Sequence, residues 1–250
     1  MRSLLQILLL LCGLFIQLYL PAQERAEQDI SGKMERLVSD IRQLSDSLYG
    51  TDFSLINGEE YRYRHTAADG HPYFRNDSWF AGTVVSGERE HQDVWLKYDI
   101  FDDRVILNHT PGSETFMIAL NKDEIGEFTL EKDHFIQLYD TDVVNSFAEP
   151  GYYQELYTGK IQFLIKWKKY ISRSSGLQPG EFKPDPVRLV RKDGVYYKVS
   201  GRSSLLRILD DHKDAISAYI RSNAIAVRNA PDSDLVRIFQ YYDSLTSTEQ

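Results

Sequence analysis

The densest run of chemically capable side chains spans residues 160–173, where Lys160, Lys166, Lys168, Lys169 and Arg173 alternate with apolar groups. At the two-residue period of a strand, Ile161, Phe163, Ile165, Trp167 and Ile171 share one face, with Gln162, Lys166 and Lys168 opposite. On a chain of net charge −8, Lys166, Lys168 and Lys169 concentrate positive charge. They predict a patch that meets an anionic partner, such as a lipid headgroup or an acidic glycan, at close range. The competing reading, which is preferred, is a solvated strand face whose lysines discourage edge-to-edge pairing.

Other groupings are weaker. His65 and His71 lie near Asp69 and Asp77 in a turn-rich segment, where imidazoles and carboxylates could converge on a metal, but no His-Glu-x-x-His helix supports them. Asp99, Asp102 and Asp103 offer hard oxygen ligands without the spacing that wraps calcium, and a hairpin turn accounts for them. There is no Gly-x-Ser-x-Gly elbow, since Gly112-Ser113 lacks the second glycine, and no phosphate-binding loop. Glycoside hydrolysis needs two carboxylates, but the sequence cannot rank 37 acidic residues. Trp95 falls on the polar side of its strand, where it would either bind glycan or lie beneath a second layer such as an N-terminal helix. The second reading is preferred. No catalytic, metal or cofactor residue is nominated, and a binding role is preferred to an enzymatic one.

Composition narrows the class. An apolar content of 42% with 12% aromatics argues for a packed core, and the acidic balance disfavours a nucleic-acid partner. The N-terminus places the chain. Arg2, an unbroken apolar run at residues 7–16, and Leu20-Pro21-Ala22 describe a cleaved secretory signal over residues 1–22. The apolar stretch is shorter than the ~20 residues that span a bilayer. Cys12 follows the bulky Leu11 rather than the small residue of a lipoprotein signal. Cleavage removes the single cysteine, so disulfides, thiolate chemistry and Cys-ligated zinc are excluded. The lack of disulfides favours a bacterial periplasmic or surface protein.

The elements follow from periodicity. Met34, Leu37, Val38, Ile41, Leu44 and Leu48 mark one face of a helix over residues 31–48, expected to pack on its own domain. Leu55-Ile56-Asn57-Gly58 signals a hairpin. Val94, Leu96, Tyr98 and Ile100 alternate with polar residues. Short strands follow at 105–107, 115–120, 125–130, 134–139, 152–157, 161–171, 187–191 and 195–199, separated by turns such as Asp102-Asp103, Thr158-Gly159 and Asp193-Gly194. Residues 177–186, with Pro179, Gly180, Pro184 and Pro186, form the best linker. Helices capped by Ser203 and Asp211 should follow, and a third after Pro231 carries Leu235, Ile238, Phe239, Tyr242 and Leu245 as its stripe.

Leu55-Ile56-Asn57-Gly58 with Tyr61, His71-Pro72-Tyr73-Phe74 with Trp79, residues 94–100 and 151–160, and Ser203-Ser204-Leu205-Leu206 together resemble a family of exported β-rich proteins of Bacteroidetes-type bacteria. The resemblance implies location and architecture and transfers no functional residue. The expectation is therefore an α+β protein: residues 1–22 as signal peptide, 23–52 as an N-terminal amphipathic helix, 53–176 as an antiparallel β meander forming a sandwich or partly closed barrel, and 177–250 as a final hairpin with packed C-terminal helices. Its role would be a soluble, non-catalytic binding or envelope-associated module meeting an envelope protein, glycan or lipid headgroup. The alternative is a carboxylate-dependent hydrolase of envelope carbohydrate. Intact mass of the exported protein should place its first residue near Gln23; an uncut chain extracted only by detergent would contradict the signal.

Overall fold

The structure, a computed structural model, describes residues 33–34, 36–37, 55–56, 58–110, 113–140, 142, 147–172 and 180–247. The chain divides into two compact units, Met1–Asp52 and Phe53–Gln250. In the first, Lys33, Met34, Arg36 and Leu37 are helical. Met34 and Leu37, expected on a packed apolar face, are 58% and 55% exposed, and neither joins a described core cluster. The rest of the expected helix and the signal segment lie outside the described residues. Among the described residues no helix is long and apolar enough to cross a membrane.

The second unit is built on one open, 11-stranded antiparallel sheet. Its strands are β1 (Glu59–Glu60), β2 (Phe80–Ser86), β3 (Arg89–Asp99), β4 (Arg104–His109), β5 (Phe116–Ala119), β6 (Ile125–Leu130), β7 (Asp133–Leu138), β8 (Gly151–Thr158), β9 (Gln162–Lys166), β12 (Val187–Lys192) and β13 (Val195–Lys198). Between β9 and β12, β10 (Lys169–Ile171) pairs with β11 (Phe182–Pro184) as a separate ribbon. The order β1-β5-β4-β3-β2-β6-β7-β8-β9-β12-β13 describes two meanders running outward from a β2–β6 seam. The expected meander is present as a single sheet rather than a sandwich. The last hairpin, β12–β13, continues it through β9, and part of the expected linker is the paired strand β11. Asn57-Gly58 signals a turn, but β1 pairs with β5, and Gly58 is needed for close approach: a Cβ there would lie 2.0 Å from the Ala119 carbonyl oxygen.

The sheet must curl, because its connection is too short for a flat one. From β5 back to β6 is four strand spacings, about 19 Å if flat. The link from Leu120 to Glu124 includes a 3-10 turn at Lys122–Glu124, which shortens its reach to less than that. The curl shows directly at Tyr98 of β3. Its ring centroid lies 5.4, 5.2 and 6.0 Å from those of Phe128 on β6, Phe135 on β7 and Tyr152 on β8. These side chains, with Val84, Leu96, Val105 and Leu107, form the core on the concave face.

Three helices, α1 (Arg202–Ile208), α2 (Lys213–Ser222) and α3 (Asp232–Ser247), extend that face into a second core. Leu235, Ile238, Phe239 and Tyr242 of α3 are buried there with Phe163 and Ile165 of β9 and Val190 of β12, as the helical stripe predicts. The caps differ: Gly201 precedes α1, its N–H donating to the Ser204 hydroxyl at 3.1 Å. His212 precedes α2, while Asp211 instead accepts from Tyr242 and Lys192.

Asp103 fixes the curl. It occupies the β3–β4 turn at φ 56°, and its carboxylate accepts from Tyr98 Oη at 2.6 Å, Lys166 Nζ at 2.7 Å and Lys122 Nζ at 2.5 Å. The Tyr152 amide lies 3.4 Å from it. Gly151, at φ 135°, passes beneath the pair; a Cβ there would meet Asp103 Oδ2 at 2.1 Å and Lys166 Nζ at 2.2 Å. Burial would raise the Asp103 carboxyl, but Lys166 and then Lys122 outweigh it and hold it below its ordinary value.

Asp103→Asn keeps a residue that tolerates positive φ and strands the buried Lys166 ammonium, so it should cost about 3–5 kcal/mol. Adding Lys166→Met should recover most of that. Because the folded carboxyl titrates below the unfolded one, its contribution is complete above pH ~4 and is lost as pH falls through the lowered value. Urea titrations across pH check this; an Asn variant with the wild-type acid slope would contradict it.

Candidate binding cavity

The concave face changes character at Gln154. Phe128, Phe135, Gln154 and Ile165 are successive partners across β6, β7, β8 and β9, and therefore share one side of the sheet. Phe128 and Phe135 belong to the first core and Ile165 to the second. Gln154 is the polar residue between the two apolar clusters. Sequence alone shows the anomaly: Tyr152, Gln154 and Leu156 have the same parity, with an amide where an apolar group belongs.

Over this junction lies a cavity of about 550 Å³. Phe74, Ile100, Leu156, Trp167, Phe182 and Pro184 supply its apolar wall. Trp167, in the break between β9 and β10, packs against both cores. Its Nε1–H donates to Gln154 Oε1 at 2.7 Å, and Gln154 Nε2 donates to Asp133 Oδ1 at 2.9 Å. Asp133 pairs through its other oxygen with Arg75, which also reaches Glu131 at 3.1 Å. Arg75, at φ 55°, has its guanidinium carbon 5.4 and 5.8 Å from the Phe74 and Phe80 ring centroids. Burial lifts the Asp133 carboxyl above its ordinary value, and Arg75 only partly opposes it. Asp232, at the start of α3, also lines the cavity and pairs with Arg188 at 2.7 Å.

The lysines singled out by sequence do not form one patch. Lys166 is 5% exposed and bound to Asp103. Lys168 pairs with Glu149. Lys169 lines the cavity, its Nζ donating to the carbonyls of His71 and Tyr73, each at 2.8 Å. Two physical reasons separate them. The run at 161–171 is two strands broken at Trp167-Lys168, so alternation fails. The face opposite Phe163 and Ile165 is itself buried, through Tyr153, Leu164, Leu189 and Tyr196. A fourth cluster, Tyr61, Tyr73, Ile106 and Ala119, covers the same side near β4 and β5. Trp95, by contrast, is 53% exposed, and most of the helix expected over it lies outside the described residues.

No family model, curated protein or solved structure matches the chain. The site is therefore assigned from its own geometry.

The histidine–aspartate grouping disperses. His65 packs 4.7 Å from Phe101, His71 stacks on Tyr73, and Asp77 pairs with Lys97. Asp99 is buried and accepts from Tyr61 Oη at 2.8 Å and from the Phe101 and Asp102 amides. Among the described residues no group of three or more His, Cys, Asp or Glu is placed to hold a metal.

Gln154 is the keystone of this network. Gln154→Leu leaves the Trp167 N–H and one Asp133 oxygen without their partner, and should cost about 1–3 kcal/mol. Combined with Trp167→Phe, the loss should be less than additive in a thermal or urea melt. Strict additivity would show the two side chains to be uncoupled.

Proposed function

We propose that this chain is an exported, non-catalytic binding protein that holds a small, largely apolar molecule in the Trp167 cavity. The observation that carries the reading is the cavity. Its volume lies within the range of small-molecule sites, and an aromatic and aliphatic wall with a few convergent polar groups is their usual composition. The signal-like residues 1–22 support export, and the resemblance to exported β-rich proteins agrees with it. The hydrolase reading draws on two carboxylates, Asp133 and Asp232, that line the same cavity, the first raised by burial. Against it, each is committed to a guanidinium, Arg75 and Arg188, which a proton-donating acid would not favour.

The neutral dye N-phenyl-1-naphthylamine should gain fluorescence on binding the wild type. It should lose most of that gain with Leu156→Trp, which fills the wall, while the melt stays cooperative. No gain with the wild type, or an equal gain with the filled variant, would contradict the proposal. Hydrolysis of envelope polysaccharide by the wild type, abolished by Asp133→Asn, would establish the enzyme instead.

A further inference from the structure

The charges around the cavity do not balance at one point. Arg75 is met by Asp133 and Glu131, and Asp232 is met by Arg188. Lys169 has no such partner: among the described residues no carboxylate lies within ion-pair distance of it. Its three contacts are to neutral acceptors, the His71 and Tyr73 carbonyls at 2.8 Å and His71 Nδ1 at 3.4 Å. Asp99 acts on it from farther away, with its own oxygens engaged by Tyr61 and two backbone amides. Lys169 is half-buried, and with Trp167, Phe182 and Pro184 it forms one part of the cavity wall. The long imidazole contact is the weakest of the three, so one ammonium hydrogen can be given to an incoming acceptor at little loss.

Given that the cavity is a ligand site, we infer that it selects amphipathic monoanions, molecules with an apolar body and a single carboxylate or sulfonate, and that Lys169 is the group that holds the anion. Burial lowers the tendency of Lys169 to stay charged, and an anion seated beside it would reverse that effect. The apolar wall accounts for the body of such a ligand and Lys169 for its head. Neutral ligands would use only the wall.

Two dyes separate the parts. 8-Anilinonaphthalene-1-sulfonate and N-phenyl-1-naphthylamine share an aromatic body and differ in the sulfonate. With Lys169→Gln, the ratio of sulfonate to neutral-dye affinity should fall about 10- to 100-fold, the value of one hydrogen bond to a charged group. Neutral-dye affinity should change far less than sulfonate-dye affinity, and Lys169→Arg should restore part of the ratio. Dodecanoate should displace the sulfonate dye from the wild type far better than dodecanol. An unchanged ratio in the glutamine variant, equal loss of both dyes, or equal displacement by acid and alcohol would overturn the assignment while leaving the cavity as a ligand site. Failure of both dyes to bind the wild type would overturn the cavity reading and this inference together.

Discussion

Asp103 carries the left-handed turn between β3 and β4 into contact with strands four and five places away in the sheet. Its carboxylate joins Tyr98 of β3, the Tyr152 amide of β8 and Lys166 of β9, and also binds Lys122 in the short connection to β6. A flat sheet would keep these groups well over 10 Å apart. An ion pair this buried is not in itself a strong source of stability. Its effect is geometric: every partner is satisfied at one curvature of the sheet, and Gly151 leaves the space in which they meet.

That curvature decides what the concave face can hold. The first core closes over β2 to β8 around Phe128 and Phe135, whose rings stack 4.7 Å apart. The second core forms where the helices cover β9 and β12. Between them the sheet presents an amide, and the space above it is bounded by Trp167 instead of being filled. The chain from Trp167 through Gln154 and Asp133 to Arg75 adds hydrogen bonds and an ion pair to the apolar packing that shapes the wall. An unfilled apolar space costs stability. A fixed polar rim of this kind is what orients a ligand in the sites that retain such space.

Much of the scaffold was legible from local pattern. The alternation of Val94, Leu96, Tyr98 and Ile100 marks a core strand, and the stripe from Leu235 to Tyr242 marks α3, because each depends only on neighbours along its own element. Where the pattern misled, a second layer was responsible. Lys166 reads as solvent-facing because it alternates with apolar residues, yet it is buried on the opposite face beside Tyr153, as Lys97 is beneath Tyr73 and Trp79. Strand β2 passed unread since Ala81-Gly82-Thr83 interrupts its apolar run, although it forms the seam of the sheet. The cavity was out of reach because Arg75, Asp133, Gln154 and Lys169 come from four separate segments, which no local pattern joins.

The central claim is that ligand enters beside Trp167. The chain has three tryptophans, so its indole N–H region in a ¹H–¹⁵N spectrum contains few signals, and the Trp167 signal is the one missing from Trp167→Phe. On titration with N-phenyl-1-naphthylamine, the Trp167 indole signal should move and saturate with the dissociation constant measured by fluorescence, while that of the exposed Trp95 stays in place. Movement of Trp95 with Trp167 unchanged would put the ligand on the outer face of the sheet and contradict the account.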